Sequence, residues 1–264
     1  MERRRVLQGF ALGSAGVALG LGGTALYQAL AGETEHHWGY VGETGPEHWG
    51  ELSPEFQVCG LGREQSPLDL RHPIPATLSP ITLSYHPVPL TLLNNGHTIQ
   101  VAIDDDARGG NTLELDGKRY TLRQFHFHHP SEHTVDGTAF PMELHLVHSH
   151  PDGSLAVLGV LIQEGSENPN LRPIWNVMPA RTSEARTVAH IRIDPHDLLP
   201  PEGDTFRYFG SLTTPPCSEI VSWVVFQSPI EASRFQIERF ARIFPNNARP
   251  VQAQNRRVVL ESDG

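Results

Sequence analysis

The run Gln124-Phe125-His126-Phe127-His128-His129-Pro130-Ser131-Glu132-His133 is followed, past Asp136-Gly137, by Met142-Glu143-Leu144-His145-Leu146-Val147-His148. In an extended strand successive side chains point to opposite faces. Gln124, His126 and His128 then share one face, with Phe125 and Phe127 on the other. In the second run Glu143, His145 and Val147 share a face, opposite Met142, Leu144 and Leu146. Only Asp136-Gly137 and its neighbours separate the runs, which predicts two adjacent antiparallel strands. Neighbouring strands lie about 4.8 Å apart, and opposed side chains come within about 5 Å. Three imidazoles so placed can meet at one point at the roughly 2.0–2.1 Å that zinc requires of nitrogen.

Three neutral nitrogen donors with no fourth protein ligand point to a catalytic zinc, because structural sites close with four ligands, often cysteines. Both cysteines are remote from this stretch, which argues against a thiolate site. The plainer alternative is a pair of half-buried strands whose histidines only hydrogen-bond. The same-face His-x-His and the third His on a neighbouring strand argue against it. His148 falls on the face opposite His145, so neither it nor His150 is read as a ligand. His129 and His133 are read as structural or rim residues.

Around this centre the chain has 264 residues, of which 38% are hydrophobic and 19% charged, enough for a sizeable core. With 24 Gly and 22 Pro it should be rich in turns and short of long helices. Residues 1–31 stand apart. Glu2-Arg3-Arg4-Arg5-Val6-Leu7-Gln8 precedes an apolar run from Gly9 to Leu26, and Ala29-Leu30-Ala31 offers a small-x-small cleavage site. That is the layout of a secretory signal, with the arginines placed as in a twin-arginine leader. A Sec signal or an uncleaved anchor are the alternatives. Export to a periplasm is the expected destination, with a thylakoid lumen or the cell exterior as the others. The expected division is a leader over 1–31 and one domain over 32–264, with no membrane anchor after cleavage.

Without the leader, Lys+Arg falls from 20 to 17 and Asp+Glu from 30 to 29, so net charge moves from −10 to −12. Phosphate backbones require basic patches, so nucleic acid is excluded as a partner. Cys59 and Cys217 fit an exported chain with a single disulfide, two free thiols being the alternative. Closing so long a loop would stabilise the fold by about 5 kcal/mol in the chain-entropy model.

The rest reads as strands. Short alternations at 80–85, 90–93 and 98–103, and a hairpin over 113–120 with Asp116-Gly117 at its tip, precede the histidine strands. A continuous apolar strand at 155–162 and strands at 206–212 and 220–227 follow, the last two flanking Thr213-Thr214-Pro215-Pro216. Helices are expected at 170–177 and 233–244. The fold class is therefore mainly β with a few short helices: about ten strands in one domain, largely antiparallel.

With these segments placed, the chain resembles the alpha-class carbonic anhydrases of exported bacterial type. The matching pieces run in family order: His-His-Trp-Gly-Tyr (36–40), Gln-Ser-Pro (65–67), Asn-Asn-Gly-His (94–97), Gln-Phe-His-Phe-His (124–128), Ser-Glu-His-Thr-Val-Asp (131–136), Glu-Leu-His-Leu-Val-His (143–148), Leu-Ala-Val-Leu-Gly (155–159) and Ser-Leu-Thr-Thr-Pro-Pro (211–216). The resemblance implies a central twisted sheet with a conical cavity, and reversible hydration of carbon dioxide to bicarbonate and a proton. It implies one Zn2+ held by His126, His128 and His145, with Gln124 and Glu143 as the partners orienting them. Thr213, itself oriented by Glu132, would receive the hydrogen bond of a zinc-bound hydroxide, and Thr214 would help hold bicarbonate. Val147, Val157, Leu212 and Trp223 would line an apolar wall for carbon dioxide. His97 would be the proton shuttle, with Tyr40, Asn95 and Gln100 along its water path; an unperturbed pKa near 6.5 would suit it. His129-Pro130, where many animal members have Trp, and Gln100, where Asn is common, are departures at the cavity rim. A catalytically silent binding module and a zinc esterase are the competing readings. The set of three histidines is complete, which disfavours the first.

Overall fold

A computed structural model of the chain describes residues 37–104, 110–201 and 203–262. The expected leader, His36, Asp105 and Asp106 lie outside the described residues. In chain order the first strands are β1 (Asp69–Leu70), β2 (Ile74–Ala76), β3 (Thr82–Ser84), β4 (Val88–Asn94), β5 (Ile99–Ala102) and β6 (Thr112–Leu115). The long β7 (Lys118–His128), the short β8 (Thr134–Val135) and β9 (Thr138–Ala139), and the central β10 (Met142–Ser149) and β11 (Leu155–Glu164) follow. The last are β12 (Arg186–Ile193), β13 (Thr205–Gly210), β14 (Val221–Phe226), β15 (Ile230–Ala232) and β16 (Leu260–Ser262).

Ten strands form one twisted path in the order β12-β4-β5-β7-β10-β11-β14-β13-β16-β2, with β3, β6 and β15 attached to it. Most neighbours are antiparallel; β11 runs parallel to β14 and β15, and β16 parallel to β2. The sheet is thus mixed, as the largely antiparallel expectation allows. Strands β1, β8 and β9 make a separate small sheet.

Every residue of β10 is buried, and β11 is buried up to Ile162. A strand covered on both sides carries apolar residues almost continuously, as Leu155 to Ile162 does. On one side Phe125, Phe127, Leu144 and Leu146 pack with Trp175 and Phe240. Those two come from the helices Arg172–Val177 and Arg234–Ala241. On the other side Val147, Val157, Leu161, Trp223 and Val225 form a second cluster. Each fully buried Leu or Phe contributes about 1.5–3 kcal/mol, so the period-two pattern is held in register from both faces. A one-residue slip would put the histidines into the aromatic core.

Helix 234–241 begins where its chemistry dictates: the Ser233 hydroxyl accepts from Gln236 N–H, and the Gln236 side chain accepts from Ser233 N–H at 3.0 Å. Asp116-Gly117 and Asp136-Gly137 both have positive φ (49° and 78°; 48° and 78°), the conformation of a two-residue hairpin turn. The second of these corrects the sequence reading. It turns the small β8–β9 hairpin instead of joining β7 to β10 directly, though β7 and β10 are still antiparallel neighbours. Strand β12 gave no sequence signal because most of its side chains are exposed or half-buried, so no buried alternation marks it. Cys59 and Cys217 are disulfide-bonded, with Cα atoms 5.0 Å apart. No helix among the described residues is long and apolar enough to cross a membrane.

Candidate metal centre and active site

The register of β7 on β10 sets His145 opposite His126 and Glu143 opposite His128. Gln100 on β5 stands opposite His126 from the other side. One nitrogen each of His126, His128 and His145 lies within 4.8 Å of the other two. The remaining ring nitrogens are all used. His126 Nδ1 donates to Gln124 Oε1 at 2.8 Å, His128 Nδ1 to the Asn247 carbonyl at 2.8 Å, and His145 Nε2 to Glu143 Oε1 at 2.8 Å. These bonds fix the tautomers, leaving Nε2 of His126 and His128 and Nδ1 of His145 as lone-pair donors facing a common space.

Burial depresses all three pKa values. His126 falls well below its ordinary value, helped by the neighbouring imidazoles, and His128 falls to about 4. His145 is lowered by burial against the opposing pull of Glu143. Neutral imidazoles at pH 7 are metal donors, whereas imidazolium is not. His128 Nε2 is buried with no hydrogen-bonding partner. An apolar site would leave that atom costly to bury, so an orphaned acceptor beside two others fits a divalent cation. His133, Glu143 and His145 form a second close group. There the atoms already bond to one another: Glu143 Oε1 accepts from His133 Nδ1 (2.7 Å) and His145 Nε2 (2.8 Å). That group is a hydrogen-bond network, and the nitrogen it leaves unused, His145 Nδ1, belongs to the first group.

Glu143 is its hub. Its other oxygen accepts the backbone N–H groups of Glu132 and His133, both at 2.8 Å. Contacts with His133 and His145 outweigh burial and hold this carboxyl well below the usual carboxylate range. The line continues outward: His133 Nε2 accepts from Tyr208 Oη at 2.6 Å, and that hydroxyl lies 3.1 Å from Ser66 Oγ. His133, read from sequence as structural or rim, is a buried strut of the metal centre.

Glu132 is raised to about 7 by burial, while His145, the Arg249 backbone N–H and the Thr213 hydroxyl pull it down. Arg249 N–H donates to Glu132 Oε1 at 2.8 Å. The guanidinium of Arg249, itself buried, donates to Gln65 Oε1 and to the carbonyls of Ser66 and Cys59. Thr213 and Thr214 are held by a tight loop in which Cys217 N–H donates to the Thr214 carbonyl at 2.9 Å and Leu212 N–H to Ser218 at 3.1 Å. The disulfide ties that loop to the segment Val58–Leu61.

A cavity of about 220 Å³ opens over the imidazoles, lined by His126, His128, Leu212, Thr214, Gln100 and His97 among others. Of the residues expected to form its apolar wall, Leu212 lines it, while Val147, Val157 and Trp223 are buried in the cluster against which Leu212 packs, the Trp223 ring 4.8 Å from that of His145. Tyr40 and Asn95 also line it. Asn95 Oδ1 already accepts the N–H groups of His97 and Thr98, so its oxygen serves the turn and only its amide nitrogen is left for water.

His97 departs from expectation. Its ring stacks on Trp38, centroids 3.7 Å apart and planes within 5°. Burial, with His37 nearby, pushes it down to about 4 instead of leaving it near 6.5. Trp38, Asn247 and the His133–Tyr208–Ser66 line are the functional residues that sequence spacing did not reveal.

The model of the eukaryotic-type carbonic anhydrase family matches residues 44–263. A carbonic anhydrase of Nostoc sp. is 47% identical over 233 residues, covering 86% of each chain. The alpha-carbonic anhydrase of Thermovibrio ammonificans, solved with the inhibitor sulfanilamide, superposes with a TM-score of 0.79 at 48% identity, over 85% of this chain and 98% of that one. A hyperthermostable carbonic anhydrase from a hydrothermal vent chimney gives 0.82 at 44% identity, over 86% and 100%. Sheet order, histidine geometry and these likenesses agree, and the chain belongs to the alpha-carbonic anhydrase family of zinc lyases.

Proposed function

We propose that this chain hydrates carbon dioxide reversibly to bicarbonate and a proton, using one zinc ion held by His126, His128 and His145. The observation that carries the reading is the set of three inward lone pairs, each fixed by a hydrogen bond on the ring's far side. A bound zinc would supply Lewis acidity, lowering the pKa of a water from 15.7 to about 7, a value for which carbonic anhydrase is itself the reference case.

The protein does the rest. Burial holds the imidazoles neutral, and Glu143 and Gln124 keep them aimed. Burial raises Glu132 to about 7, and the charge of a bound zinc would favour its ionised form, in which it accepts the Thr213 hydroxyl. The Thr213 oxygen then has its lone pairs, not its hydrogen, turned to the cavity, where it accepts from a nucleophile and orients it. Leu212, Val147, Val157 and Trp223 give an uncharged substrate an apolar wall, and Thr214 offers a hydroxyl to the product anion. His97, neutral at pH 7 in its stack on Trp38, is the acceptor for the proton that leaves along Tyr40 and Gln100. We further propose that residues 1–31 are a cleaved twin-arginine-type leader, and that the domain from residue 32 onward works in the periplasm, where the Cys59–Cys217 bond is stable.

Stopped-flow hydration of carbon dioxide by the purified domain tests this. Turnover should vanish on chelation and return with zinc. His97→Ala should slow it in dilute buffer and be rescued by imidazole. Chelator-insensitive turnover, or none at all in the zinc-loaded protein, contradicts the reading.

A further inference from the structure

A second cavity, of about 870 Å³, shares no lining residue with the one over the imidazoles. Strands β13 and β14 separate the two. Alternation sends Phe206, Tyr208, Trp223 and Val225 to the cluster beside the metal centre, and Arg207, Phe209, Ser222 and Val224 to the opposite face. There the groove is lined by four guanidinium groups, those of Arg63, Arg207, Arg256 and Arg257, against two carboxylates, Glu64 and Asp116. A net positive recess is unexpected on a chain whose net charge is −10, and it selects for anions.

The arginines are in different states. Arg257 is structural: it donates to the carbonyls of Gln65, Ala253, Gln254 and Phe209 and lies over the Tyr208 ring. Its hydrogen bonds go to carbonyl oxygens, and the nearby carboxylates of Glu64 and Glu219 take up part of its charge. Arg207 is under-used. Its side chain is only 11% exposed, yet its partners are Thr205 Oγ1 at 3.3 Å and a solvent-exposed Asp116 oxygen at 3.9 Å. Arg63 and Arg256 line the groove with no side-chain hydrogen bond or ion pair among the described residues. A guanidinium fork is matched to a carboxylate, to which it donates two parallel N–H bonds. The lining also includes apolar side chains, of which Phe209 and Val258 are 45% and 50% exposed.

We propose that this groove is a second ligand site, for a small anion carrying two or more carboxylates on a flat apolar body. The carboxylates engage Arg207, Arg256 and Arg63, and the body covers Phe209 and Val258. The site shares no lining residue with the cavity over the imidazoles, and the proposal does not rest on the reaction proposed there.

Calorimetric titration of the zinc-loaded protein with benzene-1,3,5-tricarboxylate at low salt tests the assignment, with benzene-1,3,5-tricarboxamide as the uncharged counterpart. The tricarboxylate should bind saturably at one site and weaken at least about fivefold in Arg207→Gln and in Arg256→Gln, each guanidinium–carboxylate contact being charge-assisted. The triamide should not bind. Arg63→Gln and Arg256→Gln alter exposed residues and keep the test open if Arg207→Gln fails to fold. No saturable binding, affinity unchanged by the substitutions, or equal binding of the triamide overturns the proposal. So does binding abolished by a sulfonamide in the catalytic cavity, which would assign the probe there.

Discussion

His145 and His148 stand three residues apart on one strand, and both are buried, at 1% and 0% exposure. In His145 one nitrogen donates to Glu143 and the other faces two imidazoles. In His148 both nitrogens are used within the core: Nδ1 donates to the Ala156 carbonyl at 3.2 Å, and Nε2 accepts from Tyr85 Oη at 2.6 Å. Burial alone therefore does not mark a ligand. An unused nitrogen aimed at others like it does. Strand alternation and the register shift between Val147 and His148 set the two apart.

The largest effect expected from this contrast is on turnover. His145→Ala should abolish all metal-dependent hydration, whereas His148→Gln should leave the turnover of the folded protein within about twofold, since its ring lies on the core side of the sheet. Equal losses in the two variants, measured by stopped flow at matched folded fraction, would erase the distinction.

Next comes the partner that keeps His145 aimed. Glu143 accepts from four donors, and an amide cannot replace that acceptor set. Glu143→Gln should weaken zinc binding by about 10–100-fold, the usual effect of losing such an orienting group. Competition with a chromogenic chelator reads it directly; native affinity would show Glu143 to be incidental.

The smallest effect is on stability. Burial lowers His148 to about 4, while in the unfolded chain it titrates near 6.5. Between these values the unfolded state binds the proton and the native state does not, so stability falls as pH drops from about 6.5 to about 4. The loss attributable to this residue is about 3 kcal/mol. Urea midpoints at pH 7 and pH 4.5 should therefore differ less in His148→Gln than in the parent. An identical difference would mean that His148 is protonated in the native state.

How much of this was legible follows from the range of the contacts. His126, His128, Glu143 and His145 sit on a two-residue period, and the fold of β7 and β10 follows from the same pattern that buries Phe125 and Leu144. The resemblance placed Thr213, Glu132 and the cavity wall. What stayed hidden is held by contacts distant in sequence. The Asn247 carbonyl that fixes His128 is 119 residues away, and Tyr208, which anchors His133, is 75 away. A backbone carbonyl carries no residue signature, so no composition could mark Asn247. The lowered pKa of His97 arises from burial, with His37 nearby, and periodicity reports neither that burial nor which aromatic ring a turn will meet. Edge strands such as β12 escaped because they have little buried face to alternate.

The central claim is that three imidazoles share one ion, and metal content with X-ray absorption tests it most directly. The account predicts one zinc per chain, bound by three nitrogens at about 2.0–2.1 Å, retained in His148→Gln and lost in His145→Ala. A purified protein that neither holds nor takes up zinc, or zinc still bound after removal of His145, would contradict it.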